Sequence, residues 1–215
     1  MDKKQIFDKM IAEAKGTREK LFLSAINLFS VKGYENVGIR ELCSSLGIKE
    51  SSFYNHYKSK DSLLNEIWNR YREIGKKVII TDDEIESIAS TGDIDRCLGW
   101  IFEKFNPETT NPIFYTIWQI IRIESFKNPI AAEIAQVNIY HVRRECTEKL
   151  LGRLKDKGFI RHDCDIEQVT SELFYGILGF SEEFLLLEIW GKDKNQILQK
   201  IVKHVSFIAD YLKMK

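Results

Sequence analysis

Six residues in one short stretch carry side chains suited to a polyanion and to the edges of bases: Lys49, Ser51, Ser52, Tyr54, Asn55 and His56. Hydroxyl and ammonium groups donate to phosphate oxygens. In a major groove an asparagine can pair bidentately with adenine, and a lysine can donate to guanine. Lys49, Ser51 and Asn55 are therefore candidates for base or near-base contact. Glu50 in their midst would repel phosphate, and capping its own helix suits it better. Other chemistries have little support. There is no glycine-rich phosphate loop, nucleophile elbow or HExxH pair. His162, Asp163 and Cys164 adjoin, but a zinc site needs four ligands at suitable spacings. His141 and Cys146 lie five apart, about 140° around a helix, and so diverge. No catalytic residue, metal or cofactor is expected, and the chain does not read as an enzyme.

The elements around that stretch must hold it. Ile39, Leu42 and Cys43 form one apolar stripe, Leu46 and Ile48 flank a Gly47 able to take positive φ, and Phe53 and Tyr57 lie one helical turn apart. This is the pattern of a helix-turn-helix with short helices at about 39–45 and 50–56. Helices of two turns are unstable alone, so they must rest on a longer one. Leu21, Ala25, Leu28 and Phe29 supply it over residues 17–31, with Thr17 as the expected N-cap and Gly33 as the stop. Ser59 is a natural cap for a further helix carrying Leu63, Leu64, Ile67, Trp68 and Tyr71.

Residues 17–64 also resemble the TetR family of transcriptional repressors. The resemblance runs from Thr17-Arg18-Glu19-Lys20 through Lys32-Gly33-Tyr34 and Ile39-Arg40-Glu41-Leu42 to Leu46-Gly47-Ile48. It is most specific in Phe53-Tyr54-Asn55-His56-Tyr57, followed by Lys60 and Leu63. It implies that residues 39–45 are a supporting helix and 49–56 a recognition helix. Tyr54 and His56 would then contact the DNA backbone, and Lys60, opening the next helix, a phosphate. With Arg40, Ser52, Tyr57 and Lys58, these complete the expected DNA-facing set. Family members often have threonine or serine at the position of Gly38, where it caps the helix and meets a phosphate. Glycine caps only weakly.

The rest of the chain carries helix signals almost throughout. Asp93, Asn111-Pro112, Asn128-Pro129, Asp165 and Asp193 all stand as caps, the last two in capping-box spacing with Gln168 and Gln196. Gly158 and Gly191 act as stops. Residues 81–92 admit either an extension of one helix or a separate short one. The expectation is an all-α fold of about nine helices, divided into a DNA-binding domain over 1–62 and a larger helical domain over 63–215. Apolar stripes on the last two helices include Val169, Leu173, Ile177, Phe184, Ile201, Val205 and Ile208. One recognition helix reads few bases, and such proteins usually pair over two half-sites. The resemblance accordingly assigns those stripes to a homodimer on a palindromic double-stranded operator. It also implies a small-molecule effector, with Phe102, Phe105, Tyr115, Trp118, Arg122, Tyr140 and Phe174 as candidate lining.

Composition fits this reading. The 215 residues balance 32 basic against 32 acidic side chains, but the balance is uneven along the chain. Residues 1–77 hold 15 Lys and Arg against 10 Asp and Glu, and the remainder 17 against 22. A basic front half suits a partner met by that half alone. No apolar run approaches the length of a membrane span. The four cysteines show no CxxC spacing, so reduced thiols and a cytoplasmic setting are expected. The residues leave open two other readings, a helical scaffold and a redox-responsive regulator using Cys43.

Overall fold

The structure is a computed structural model describing residues 3–76, 80–105 and 111–213. These are all-helical, in eleven separate helices, close to the expected number of about nine. In chain order the segments are α1 (Lys3–Glu13), α2 (Thr17–Lys32), α3 (Ile39–Ser45), α4 (Glu50–Tyr54), α5 (Lys60–Lys76), α6 (Asp82–Ala89) and α7 (Ile94–Phe105). They continue as α8 (Pro112–Glu124), α9 (Pro129–Ile134), α10 (Val142–Asp156), α11 (Ile166–Ile189) and α12 (Asn195–Lys213). A π-helical stretch, Ala135–His141, joins α9 to α10 without a break. The chain forms two compact units: Met1–Val78 with Pro107–Ala135, and Ile79–Asn106 with Gln136–Lys215. The expected boundary after residue 62 falls inside the first of these.

In the first unit α2 is the axis. Leu21 through Ile26 are all buried, as are Phe29 and Ser30. A helix buried on every side must be surrounded, and α1, α3, α4, α5 and α8 all pack on it. Thr17 does not cap it. Gly16 occupies the N-cap without a side-chain bond, and Thr17 is the first helical residue. Gly33 does end it, at φ +78°, with its N–H donating to the Phe29 carbonyl at 2.9 Å. Ser59 caps α5 as expected: its Oγ accepts from the Ser62 N–H, and Ser62 Oγ accepts from the Ser59 N–H, both at 3.1 Å. Asn111 and Asn128 cap α8 and α9. Tyr71 of α5 stacks on Phe114 of α8, with ring centres 4.6 Å apart.

In the second unit residues 82–89 form a separate helix, because Thr81 and Glu84 close a reciprocal capping box. Asp93 and Asp165 cap α7 and α11. Asp193 instead accepts from the Asn195 N–H, one residue before the expected Gln196. The residues expected at a contact between copies lie in or against this unit's own core. Val169, Leu173, Phe184, Ile201 and Ile208 are buried in the unit's own core, where α11 and α12 pack on each other and on α7 and α10. Ile177 and Val205 are half-buried against the same core. Burying an apolar stripe within the protomer removes it from water before a second copy arrives. The large apolar side chains left exposed on α11 are Tyr175 and Leu186, with Trp190 just past its end.

Candidate nucleic-acid interface

Two short helices and a glycine turn build the reading head. The Gly47 and Ile48 N–H groups donate back to the Ser44 and Cys43 carbonyls at 3.2 and 3.0 Å, closing α3 with Gly47 at φ +65°. The Gly38 carbonyl opens α3 by accepting from Leu42 at 3.1 Å, with no side-chain cap. Buried Leu42, Cys43 and Phe53 face inward. Ser24 of α2 meets Ser45 of α3 at 2.7 Å, and Lys32 pairs with Glu41 at 2.5 Å, so α3 is tied to α2 by polar as well as apolar contacts.

The second helix is shorter than expected. It spans Glu50–Tyr54, with Lys49 rather than Glu50 as N-cap. Asn55 and His56 follow in a turn, the His56 and Tyr57 N–H groups both donating to the Phe53 carbonyl at 2.9 Å. Arg40, Lys49, Ser51, Tyr54, Asn55 and Lys58 are exposed, and Tyr54 is 57% exposed although it packs edge-on against buried Phe53. Ser52 and His56 are half-buried. The head thus presents donors of three kinds (cationic, hydroxyl and amide) on its outer side.

Two of the residues expected to face DNA bond within the head. Tyr57 is 3% exposed; its ring packs on Phe53 and lies under the Arg18 guanidinium, and its hydroxyl donates to the Arg18 carbonyl at 3.5 Å. Burial pushes its phenol well above the usual range. It anchors the head. The Lys60 ammonium donates to the carbonyls of Tyr34 and Val37, at 3.0 and 3.1 Å, and lies 4.0 Å from the centre of the Tyr34 ring. Two of its three donors are therefore directed into the α2–α3 turn.

Sequence reasoning missed the carboxylates around that turn. Asp61 Oδ1 accepts from the Tyr34 hydroxyl at 2.5 Å, and Glu124 Oε1 accepts from the Tyr34 N–H at 2.9 Å. Asp61 lies two residues after the expected Ser59 cap, but a partner 90 residues away, as Glu124 is, has no local signature. Cys43, the candidate redox group, is 1% exposed; burial, then the nearby Glu50 charge, pushes its thiol up. A buried thiol held protonated is a poor nucleophile.

The candidate effector residues divide between the units. In the first, Tyr115 stacks on Trp118 with centres 5.8 Å apart, and the Arg122 guanidinium lies 5.6 Å from the Trp118 ring. In the second, Tyr140 meets Phe174 edge-on at 6.2 Å, Arg143 lies over Phe105, and Phe102 packs against Phe184, Ile197 and Ile201. No helix of the described residues is long and apolar enough to cross a membrane, and no group of three metal-ligating side chains occurs among them.

Two short helices hinged at a glycine and set on a buried third, with donors on the outer one, define a helix-turn-helix domain. Residues 21–67 match the model of the bacterial regulatory proteins of the tetR family. The HTH-type transcriptional regulator UidR of Escherichia coli K12 is 29% identical over 93 residues, 40% of this chain and 47% of that protein. The match therefore spans about half the length of that relative. The uncharacterized HTH-type transcriptional regulator YdgC of Bacillus subtilis is 23% identical over 192 residues, 86% of this chain and 89% of that one. Among solved structures, the TetR family transcriptional regulator PfmR of Thermus thermophilus shares the fold with a TM-score of 0.56 at 20% identity, over 94% of this chain and 100% of that one. Residues 21–67 are thus a helix-turn-helix domain of the tetR type, and the rest of the chain shares the fold of such regulators.

Proposed function

We propose that this chain is a sequence-specific DNA-binding transcriptional regulator of the cytoplasm, a repressor that a small-molecule effector releases from a palindromic operator. The observation that carries the reading is the outer side of the head. Lys49, Ser51, Tyr54 and Asn55 stand exposed on or beside α4, which is held on the buried α2 by Leu42, Phe53 and Tyr57. Lys49, Ser51 and Asn55 read base edges, while Tyr54, Arg40, Lys58 and the half-buried His56 contact phosphate and sugar. Two copies associate through the exposed stripe Tyr175, Leu186 and Trp190, which supports pairing better than the buried residues first assigned to it. The effector makes use of the aromatic groups carried by α8, or of those carried by α7, the π-helical stretch and α11.

The test is enrichment of duplexes from a randomised pool, followed by titration of the enriched duplex across salt. Affinity should fall steeply as salt rises, because each phosphate contact contributes a slope of about 0.9 in log–log form. Asn55→Ala should relax base preference at one position by about 1–3 kcal/mol. No enrichment over the starting pool at low salt would refute the reading.

A further inference from the structure

Tyr34 engages every polar atom it has. Its N–H donates to Glu124 Oε1 at 2.9 Å, its carbonyl accepts from Lys60 Nζ at 3.0 Å, and its hydroxyl donates to Asp61 Oδ1 at 2.5 Å. Its ring packs edge-on against Phe29, and the Lys60 ammonium lies over it. Lys60 and Asp61 open α5 within residues 17–64, the span of the family resemblance. Glu124 does not belong to that span. It is the last residue of α8, far along the chain but within the same compact unit.

Glu124 is poorly placed for the stability of its own helix. A carboxylate in a last helical turn faces the negative end of the macrodipole. This one is also only 6% exposed, and a buried charge is costly unless hydrogen-bonded. What it gains is a charge-assisted bond from a backbone N–H of the α2–α3 turn. It also closes on Gly33, whose Cβ, were there one, would lie 3.5 Å from Glu124 Oε1. The turn so held leads through Val37, whose carbonyl also accepts from Lys60, to the first residue of α3.

We propose that Glu124 is a positioning residue for the reading head. Its carboxylate fixes the α2–α3 turn at Tyr34; through Lys60 and Asp61, Tyr34 fixes the start of α5. The three together hold α3 and α4 at one angle on α2. Glu124 touches no DNA; it sets the pose in which Lys49, Ser51 and Asn55 meet bases. This rests on the DNA-reading function proposed above.

The experiment compares the full-length wild type with Glu124→Met, which keeps bulk without an acceptor, and Glu124→Gln, which keeps an acceptor without charge. Three quantities are measured: hydrogen exchange at the Tyr34 amide, affinity for a duplex enriched by the wild type, and affinity for a scrambled duplex of equal length. Glu124→Met should speed Tyr34 exchange and weaken binding to the enriched duplex, each on the order of tenfold for one lost buried hydrogen bond. Affinity for the scrambled duplex should stay within about twofold, because non-specific attraction depends on the same exposed cations. Glu124→Gln should lie close to the wild type in all three. General destabilisation would instead lower both affinities together, and that result overturns the proposal. So does unchanged Tyr34 exchange in Glu124→Met. Should that variant not fold, the wild type still decides, since a Tyr34 amide exchanging at the rate of an open loop excludes the tether. Failure of the wild type to enrich any duplex would defeat the DNA-reading function separately, leaving the exchange result to judge the contact.

Discussion

Lys60 and Gly38 show how far a residue's type determines its role. By resemblance Lys60 is a phosphate ligand, yet two of its donors are committed to the Tyr34 and Val37 carbonyls. These roles are separable. If Lys60 mainly braces the turn, Lys60→Met weakens binding to an enriched duplex with little change in the salt slope; loss of a phosphate contact would lower the slope by about 0.9. The bracing geometry predicts the first outcome, read from titrations at several salt concentrations. Gly38 presents the opposite case. It sits at the N-cap of α3 in extended backbone, φ −89° and ψ 161°, and an added Cβ would meet nothing within 4 Å. Gly38→Ser should therefore cap α3 without strain, adding a few tenths of a kcal/mol in thermal unfolding. The same hydroxyl should tighten DNA binding if it reaches phosphate. Cys43 is expected to resist alkylation in the native state, buried and protonated as it is.

At the scale of elements, what could be read from the sequence was what is local. The α3–α4 turn was legible because Gly47 stands between two apolar flanks and takes the positive φ it was expected to take. The caps at Ser59, Asn111, Asn128 and Asp165 were legible because each bonds an N–H two or three residues ahead. Thr81 and Glu84 had box spacing too, and they settle residues 82–89 as a helix in its own right. What escaped was partner choice. The apolar stripes of α11 and α12 were visible, but periodicity shows only that a stripe is buried, not what buries it. Likewise the Tyr34–Glu124 contact joins segments with no common pattern. The turn offers the sharpest test here. Gly47 has open space for a Cβ, so Gly47→Ala would meet no clash, only the left-handed backbone penalty of about 1–2 kcal/mol. The variant should lose stability by that amount in denaturant unfolding. It should lose more affinity for an enriched duplex than that, since the angle between α3 and α4 relaxes.

For the whole molecule the decisive quantity is the number of heads. A recognition helix of five residues followed by a turn covers too few base pairs to single out a genomic site. Two heads on half-sites about 34–36 Å apart, or a multiple, square the selectivity, provided that two copies associate. The core residues of α11 cannot serve that contact without leaving their own unit. Tyr175, Leu186 and Trp190 can: spacings of eleven and four residues put them on one helical stripe, and Trp190 is 72% exposed. Two kinds of substitution on one helix should therefore part company. Leu173→Glu, placing a charge in the buried core, should unfold the second unit. Leu186→Glu with Trp190→Glu should leave the melting temperature of the isolated chain nearly unchanged and yield a monomer by sedimentation. That monomer should keep weak binding to a single half-site while losing the tight binding to the palindrome. A double variant that remained dimeric would place the contact between copies elsewhere on the molecule.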